Sequence, residues 1–266
     1  MKKIISLLIF LSFGLMSCSQ KAEMEVSGST SVAPLMNEII FKYQKDHDMK
    51  INLTADGSSA GIKAVANNIS NIGMSSRELN DEEKKLNLNS YVIALDAIGV
   101  IVNKDNGVNN ISLQQLHDIY SGKITNWQDV GGKNLPIRVI SREDGSGTRD
   151  AFEETVSLLN ENKTSEVAKT KAIIVNSSGA ILENVIQKKG AIGYISLGSA
   201  NNDIKLLAIN NVKPNEENIK AKKYLLSRDF IIVTKKENEI IKQFINYILS
   251  DEGQKIVKNN NYIPVK

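Results

Sequence analysis

Four times in this chain a β-like run meets a Ser/Gly-rich turn and then a helical stripe. Met24 to Val26 leads through Ser27-Gly28-Ser29-Thr30-Ser31 into Leu35, Met36, Ile39, Ile40 and Tyr43. Ile51 to Ala55 leads through Asp56-Gly57-Ser58-Ser59-Ala60-Gly61 into Ile62, Val65, Ala66 and Ile69. Ile137 to Ile140 leads through residues 141–149 into Phe152, Val156 and Leu159. Ala172 to Val175 leads through Asn176-Ser177-Ser178-Gly179 into Ile181, Leu182, Val185 and Ile186. Each unit switches from a period of about two to one of about 3.6, which is the order strand, turn, helix. Strands alternating with helices along the whole chain predict an α/β fold with mainly parallel sheets.

The third turn carries the most chemistry. In Ser141-Arg142-Glu143-Asp144-Gly145-Ser146-Gly147-Thr148-Arg149, two glycines allow backbone conformations closed to residues with a Cβ. Ser146 and Thr148 bring hydroxyls, and the first helical turn brings N–H groups without partners. Arg142 adds a planar, permanently charged fork. Donors converging on a helix start make an anion cradle. Read alone, the same residues are equally a surface turn with a Ser/Thr cap. The Walker A spacing is missing.

Of 33 basic and 30 acidic residues, two lysines lie in a leader at residues 1–17, so the remainder carries 31 against 30, or +1. That excludes a broad basic surface for nucleic acid. Lys2-Lys3 followed by the apolar run Ile4 to Met16 is a secretory signal by charge and length, too short to span a bilayer. Leu15-Met16-Ser17-Cys18 resembles a bacterial lipobox, although Met16 departs from the usual residue. It implies acylation of Cys18, the single cysteine, and a tether at 18–23 to a membrane surface. His47 and His117 show no metal-ligand spacing, and no Ser-His-Asp signature stands out. No metal or other cofactor is expected.

Tyr91 to Leu95 and Ile98 to Val102 read as apolar strands of a buried parallel sheet, with Asp96 between them. Asp96 is either a strand-end turn carboxylate or an acceptor at a cleft. Asp81 to Lys85 reads as a solvated helix face. Ser112 and Gln115 have the spacing of a capping box. Trp127, the single tryptophan, reads as a packing anchor.

Taken together, Gly28 to Pro34, Gly57 to Gly61, Ile72 to Arg77, Ala94 to Ile98, Arg142 to Arg149 and Gly190 to Tyr194 resemble one family. That family is the periplasmic phosphate-binding component of the phosphate-specific ABC transporter. The resemblance implies a two-lobed type II periplasmic-binding-protein fold, with two mainly parallel sheets, flanking helices and a hinge of two crossover segments. The crossings are expected near Ala97–Val102 and Ala200–Leu206. Lobe one then holds 24–100 and 204–266, and lobe two 101–203.

The family's contacts carry onto Thr30 and Ser31 in the first loop, Ser58 in the second, and Arg142, Ser146, Gly147 and Thr148 in the third. Asp144 matches an acid that pairs with that arginine. Ser76 stands where better-known members have an aspartate that accepts the proton of hydrogen phosphate. Asp96, beside the expected crossing, is assigned that acceptor role. Arg77 is a second-rank contact or a partner of Asp96. The implied partners are inorganic phosphate, the importer's permease subunits and, through the lipid, the outer side of a bacterial membrane. The protein is expected to act as a monomer, and not as an enzyme. The competing readings are a binding protein for sulfate, molybdate or tungstate, a secreted phosphatase, and an adhesin on the same fold.

Overall fold

A computed structural model describes residues 22–169 and 171–266. The leader, Cys18 and most of the tether lie outside them. Ala22 and Glu23 already belong to the first strand. In chain order the elements are β1 Ala22–Gly28, α1 Ala33–Asp46, β2 Met49–Ala55, α2 Ser58–Ala66, β3 Ile72–Ser75, α3 Asp81–Lys84 and β4 Asn89–Asn103. There follow β5 Asn110–Ile111, α4 Leu113–Tyr120, β6 Arg138–Arg142, α5 Gly147–Thr155, β7 Ile173–Val175, α6 Ser178–Gln187 and β8 Ala191–Ser196. The last are β9 Ile204–Leu206, β10 Ala208–Ile209, α7 Glu216–Lys220, β11 Ser227–Thr234, α8 Glu239–Leu249 and α9 Asp251–Asn259.

All four units form in the order read, but two helices are shorter than their stripes: α2 ends at Ala66 and α5 at Thr155, so Ile69 and Leu159 lie beyond them and are exposed. Leu35, Met36, Ile39, Ile40 and Tyr43 are the buried face of α1, and Pro34 sits in its first turn, where a missing N–H costs little. Ile181 and Val185 are buried on α6. The Ser112/Gln115 capping box closes α4 with both of its hydrogen bonds. Trp127 is buried and donates to the Gly190 carbonyl at 3.0 Å, as expected of an anchor.

The strands run in the order β2-β1-β3-β11-β4-β8-β6-β7. The outer strands pair in parallel, β1 with β2 and β3, and β6 with β7 and β8. The central ones do not: β11 is antiparallel to β3 and β4, and β4 is antiparallel to β8 and β9. The two apolar runs read as separate parallel strands are one strand of 15 residues. Its first part pairs with β11 as far as Ala97, and from Ile98 onward it pairs with β8. Asp96 therefore sits inside a strand, one residue before the change of partner, and not on a turn.

The two largest cores lie on either side of that change, with smaller apolar clusters under α6 and α2. Met24, Met36, Ile39, Ile72, Phe230 and Phe244 gather with α1, α8 and α9. Val100, Leu116, Tyr120, Trp127, Phe152 and Tyr194 gather on the other side of the change. The chain does not return to the first core at Ala200–Leu206. β9 pairs with the end of β4, β10 pairs with β5, and Leu207, Ile209, Ile219, Tyr224 and Leu226 lie in the second core. The return comes at Ser227, where β11 begins. Polar residues around these few apolar ones mask the packing in the sequence.

Candidate functional site

All four Ser/Gly turns meet at one point between the two cores. Ser31 Oγ lies 2.7 Å from Thr148 Oγ1 and 2.8 Å from Ser178 Oγ. Thr148 Oγ1 is 3.4 Å from Ser76 Oγ, which is 3.4 Å from Ser58 Oγ. The Ser76 amide donates to Ser58 Oγ at 3.2 Å. Ser31, Ser58, Ser76, Thr148 and Ser178 are all buried. Thr30 is half-buried at the rim, with Oγ1 3.3 Å from Ser178 Oγ. Five clustered hydroxyls can donate or accept as a ligand requires.

Backbone geometry brings the turns this close. Gly145 has φ +85°, the left-handed region glycine enters without strain, and its carbonyl accepts from the Ser59 amide at 3.1 Å. Gly147 has a different reason to be glycine: a Cβ there would stand 2.3 Å from Ser58 Oγ and 2.9 Å from Ser76 Oγ. The α5 start is thus pressed directly against the first half. Ser146 caps α5 by accepting from the Arg149 amide at 3.3 Å. The starts of α1 and α2 have no side-chain cap. Four helix starts facing one point give it a positive potential.

Two buried arginines flank the cluster. Arg142, 2% exposed, donates from Nε and NH2 to the Glu143 carboxylate at 2.8 and 2.7 Å, and from NH1 to Ser178 Oγ at 3.2 Å. The acid that holds it is therefore Glu143. Asp144, expected in that role, pairs with Arg149 at 2.6 Å. Neighbours in a turn point to opposite sides, and spacing alone did not say which faced the guanidinium. The Arg142 amide also donates to Tyr194 Oη, which lies 2.8 Å from Ser141 Oγ. The Tyr194 ring stacks on Phe152 at 4.1 Å, so the loop is fixed from behind.

Arg228, at the start of β11, was not anticipated. It donates from Nε and NH2 to Asp96 Oδ2 at 3.1 and 2.9 Å, and from NH1 to Thr148 Oγ1 at 2.8 Å and the Ser76 carbonyl at 3.3 Å. Ser196 Oγ donates to Asp96 Oδ1 at 2.9 Å. Asp96 thus reaches the hydroxyls only through Arg228, and its partner is not Arg77. Burial pushes the Asp96 carboxyl up from its ordinary range, against the pull of Arg228.

Arg77 faces away from Asp96. It pairs with Glu83 at 2.6 Å, reaches across to Asp150 at 2.7 Å and donates to Ser59 Oγ at 2.9 Å. Glu83 is buried, so the charged run at 81–85 is not wholly a solvated face. Among the described residues, no three His, Cys, Asp or Glu side chains gather as a metal-holding group. Sequence reasoning missed Ser178 and Arg228 as cluster members. The fourth Ser/Gly turn was a signal for Ser178; a lone arginine in an apolar strand gave little for Arg228.

Two α/β halves joined by shared strands, with hydroxyls and helix starts from both facing one buried point, define a type II substrate-binding protein. A model of the PBP superfamily domain matches residues 18–252. The chain is 35% identical to the phosphate-binding protein PstS of Borreliella burgdorferi, over all of both chains. It is 31% identical to the phosphate-binding protein PstS of Bacillus subtilis, over 90% of this chain and 80% of that one. A solved putative phosphate ABC transporter substrate-binding protein with bound phosphate, from Clostridium perfringens, superposes with a TM-score of 0.86. It shares 43% identity, over 92% of this chain and 100% of that one. An ABC-type phosphate transport receptor from Vibrio cholerae superposes with a TM-score of 0.76 at 35% identity, over 90% and 99%. The chain belongs to the PBP superfamily and, within it, to the family of phosphate-binding substrate-binding proteins of ABC transporters.

Proposed function

We propose that this protein binds inorganic phosphate between two lobes and hands it to the permease subunits of an ABC importer. The lobes are residues 24–97 with 227–266, and 98–226, hinged where β4 changes partner and where β11 begins. Thr30, Ser31, Ser58 and Ser76 of one lobe, with Arg142, Ser146, Gly147 and Thr148 of the other, hold the anion. Asp96 acts from behind, through Arg228. Its expected role as proton acceptor passes to Ser76, since a hydroxyl can accept from hydrogen phosphate and donate onward.

The observation that carries this reading is the Ser31–Thr148–Ser178 cluster with Arg142 NH1 on it. A tetrahedral dianion offers several acceptors, and a cluster of donors from two hinged bodies suits it. A micromolar affinity corresponds to about −8 kcal/mol. Charge-assisted hydrogen bonds contribute about 1.5–3 kcal/mol each, so a handful suffices after desolvation and closure are subtracted. The cluster's partners, among the described residues, are other hydroxyls, guanidinium groups and main chain; none is a base that would activate a nucleophile. Such a site binds its anion without chemistry.

The protein works as a monomer, held by acylated Cys18 on the outer side of a bacterial membrane. Calorimetry with phosphate, sulfate and molybdate tests the ligand. Phosphate binding in the micromolar range or tighter is expected, and sulfate or molybdate preferred over phosphate would refute it. Release of a Cys18→Ser variant from the membrane fraction tests the anchor.

A further inference from the structure

Arg142 and Arg228 are arranged alike. Each gives Nε and NH2 to one carboxylate, Glu143 or Asp96, and sends NH1 to a hydroxyl of the same cluster, Ser178 or Thr148. One comes from the end of β6 in the second half, the other from β11 of the first. Building on the phosphate reading above, we infer that Arg228 is the second anion-binding guanidinium of the site and Asp96 its positioning residue.

Three observations carry this. First, NH1 of Arg228 points past its own carboxylate. By donating to Thr148 Oγ1 it occupies that oxygen's lone pair, so the Thr148 proton turns outward. Arg142 does the same to Ser178. Both hydroxyls are then set to donate, to Ser31 or to an anion. Second, Arg228 and Asp96 are 9% and 3% exposed, and a buried ion pair contributes little as a mere fastening. The pair also lies at both hinge crossings. Arg228 and Asp96 are register partners in the β11–β4 ladder, beside Ser227 and Ala97, where the chain changes halves. Asp96 takes a hydrogen bond from Ser196 of the second half, and Arg228 gives one to Thr148 there. Third, the two guanidinium groups feel each other. Burial pushes Arg228 down from its ordinary value, Asp96 opposes this, and the charge of Arg142 adds to the lowering. Two like charges converging on a hydroxyl cluster are relieved when a dianion arrives between them.

The test compares R228Q and D96N by calorimetry with phosphate. R228Q removes a cation and leaves Asp96 facing the anion; affinity should fall about 10- to 100-fold. D96N keeps an oxygen to hold Arg228 and removes the counter-charge. Arg228 is then uncompensated until phosphate binds, so D96N should bind more tightly than wild type while its ligand-free melting temperature falls. A fastening that acts only on stability would move both variants the same way. Equal losses in the two, or wild-type affinity in R228Q, overturn the inference. If either single variant fails to fold, D96N/R228Q carries no unpaired buried charge. It should still lose about tenfold or more, and wild-type affinity in it overturns the inference. Wild-type protein that binds sulfate or molybdate in place of phosphate would sink the functional reading instead, and the same comparison then runs on that anion.

Discussion

Ser31 Oγ and Thr148 Oγ1 stand 2.7 Å apart although 117 residues separate them in sequence. One precedes α1 in the first half and the other opens α5 in the second. The contact bridges the two halves, so under the proposed hinge motion it reports on closure. A ligand that touches both residues favours the closed state by its differential affinity for it.

Thr148→Val keeps the shape of the side chain and removes the oxygen shared by Ser31, Ser76 and Arg228. Phosphate affinity should fall by about 1.5–3 kcal/mol. Because Ser31 and Thr148 act on each other, Ser31→Ala and Thr148→Val should be non-additive, with a coupling of about 0.5–3 kcal/mol. Titration calorimetry of the two single variants and the double variant measures it. Additive losses would place the two hydroxyls in separate roles.

Gly147→Ala puts a methyl group against Ser58 and Ser76. Strain of this kind costs about 1–3 kcal/mol, and it falls on the closed form alone. Phosphate should bind at least tenfold more weakly, with little change in melting temperature without ligand. Small-angle scattering with saturating phosphate should show a larger radius of gyration than for wild type.

Ser76→Ala removes the hydroxyl proposed to accept the proton of hydrogen phosphate. An unsatisfied buried donor costs about 1–3 kcal/mol. Sulfate has no such proton at neutral pH, so its affinity should change less. Competition calorimetry gives the ratio, and an unchanged phosphate-to-sulfate ratio would remove Ser76 from that role.

Glu83 ties Arg77 to the first half while Arg77 reaches Asp150 in the second. Burial pushes Glu83 up, but hydrogen bonds from Arg77 and the Asn80 amide outweigh it. The net effect holds the carboxyl below its ordinary 4.5. A depressed pKa contributes stability that is present above the unfolded value and is lost as pH falls through the folded one. Melting temperature should therefore decline below about pH 4.5. Glu83→Gln should lower stability at neutral pH by about 1–3 kcal/mol and flatten that decline. Thermal melts across the acid range check both.

The order of strands and helices was legible because each unit announces itself locally: a period, a turn, a cap. The meeting of Thr30, Ser31, Ser58, Ser76, Arg142 and Thr148 was legible through resemblance, and four similar turns in one chain supported it. The partners of charged groups were not. Whether Arg142 takes Glu143 or Asp144 depends on a twist of one residue, and whether Asp96 takes Arg77 or Arg228 depends on which strand lies next to β4. The antiparallel placement of β11 is a long-range choice that the apolar run of β4 leaves open. The burial of Leu207, Ile219 and Tyr224 hid for a related reason: three apolar side chains in a polar stretch have no period to read.

The place of β11 also bears on how the molecule comes into being. The first half is founded on β1, β2 and β3, yet the strand that joins β3 to β4 comes from the last forty residues of the chain. A growing chain can assemble the second half early, but the first must wait, with the edges of β3 and β4 bare, until synthesis is nearly finished. Helpers that shield unpaired strands have their longest task there.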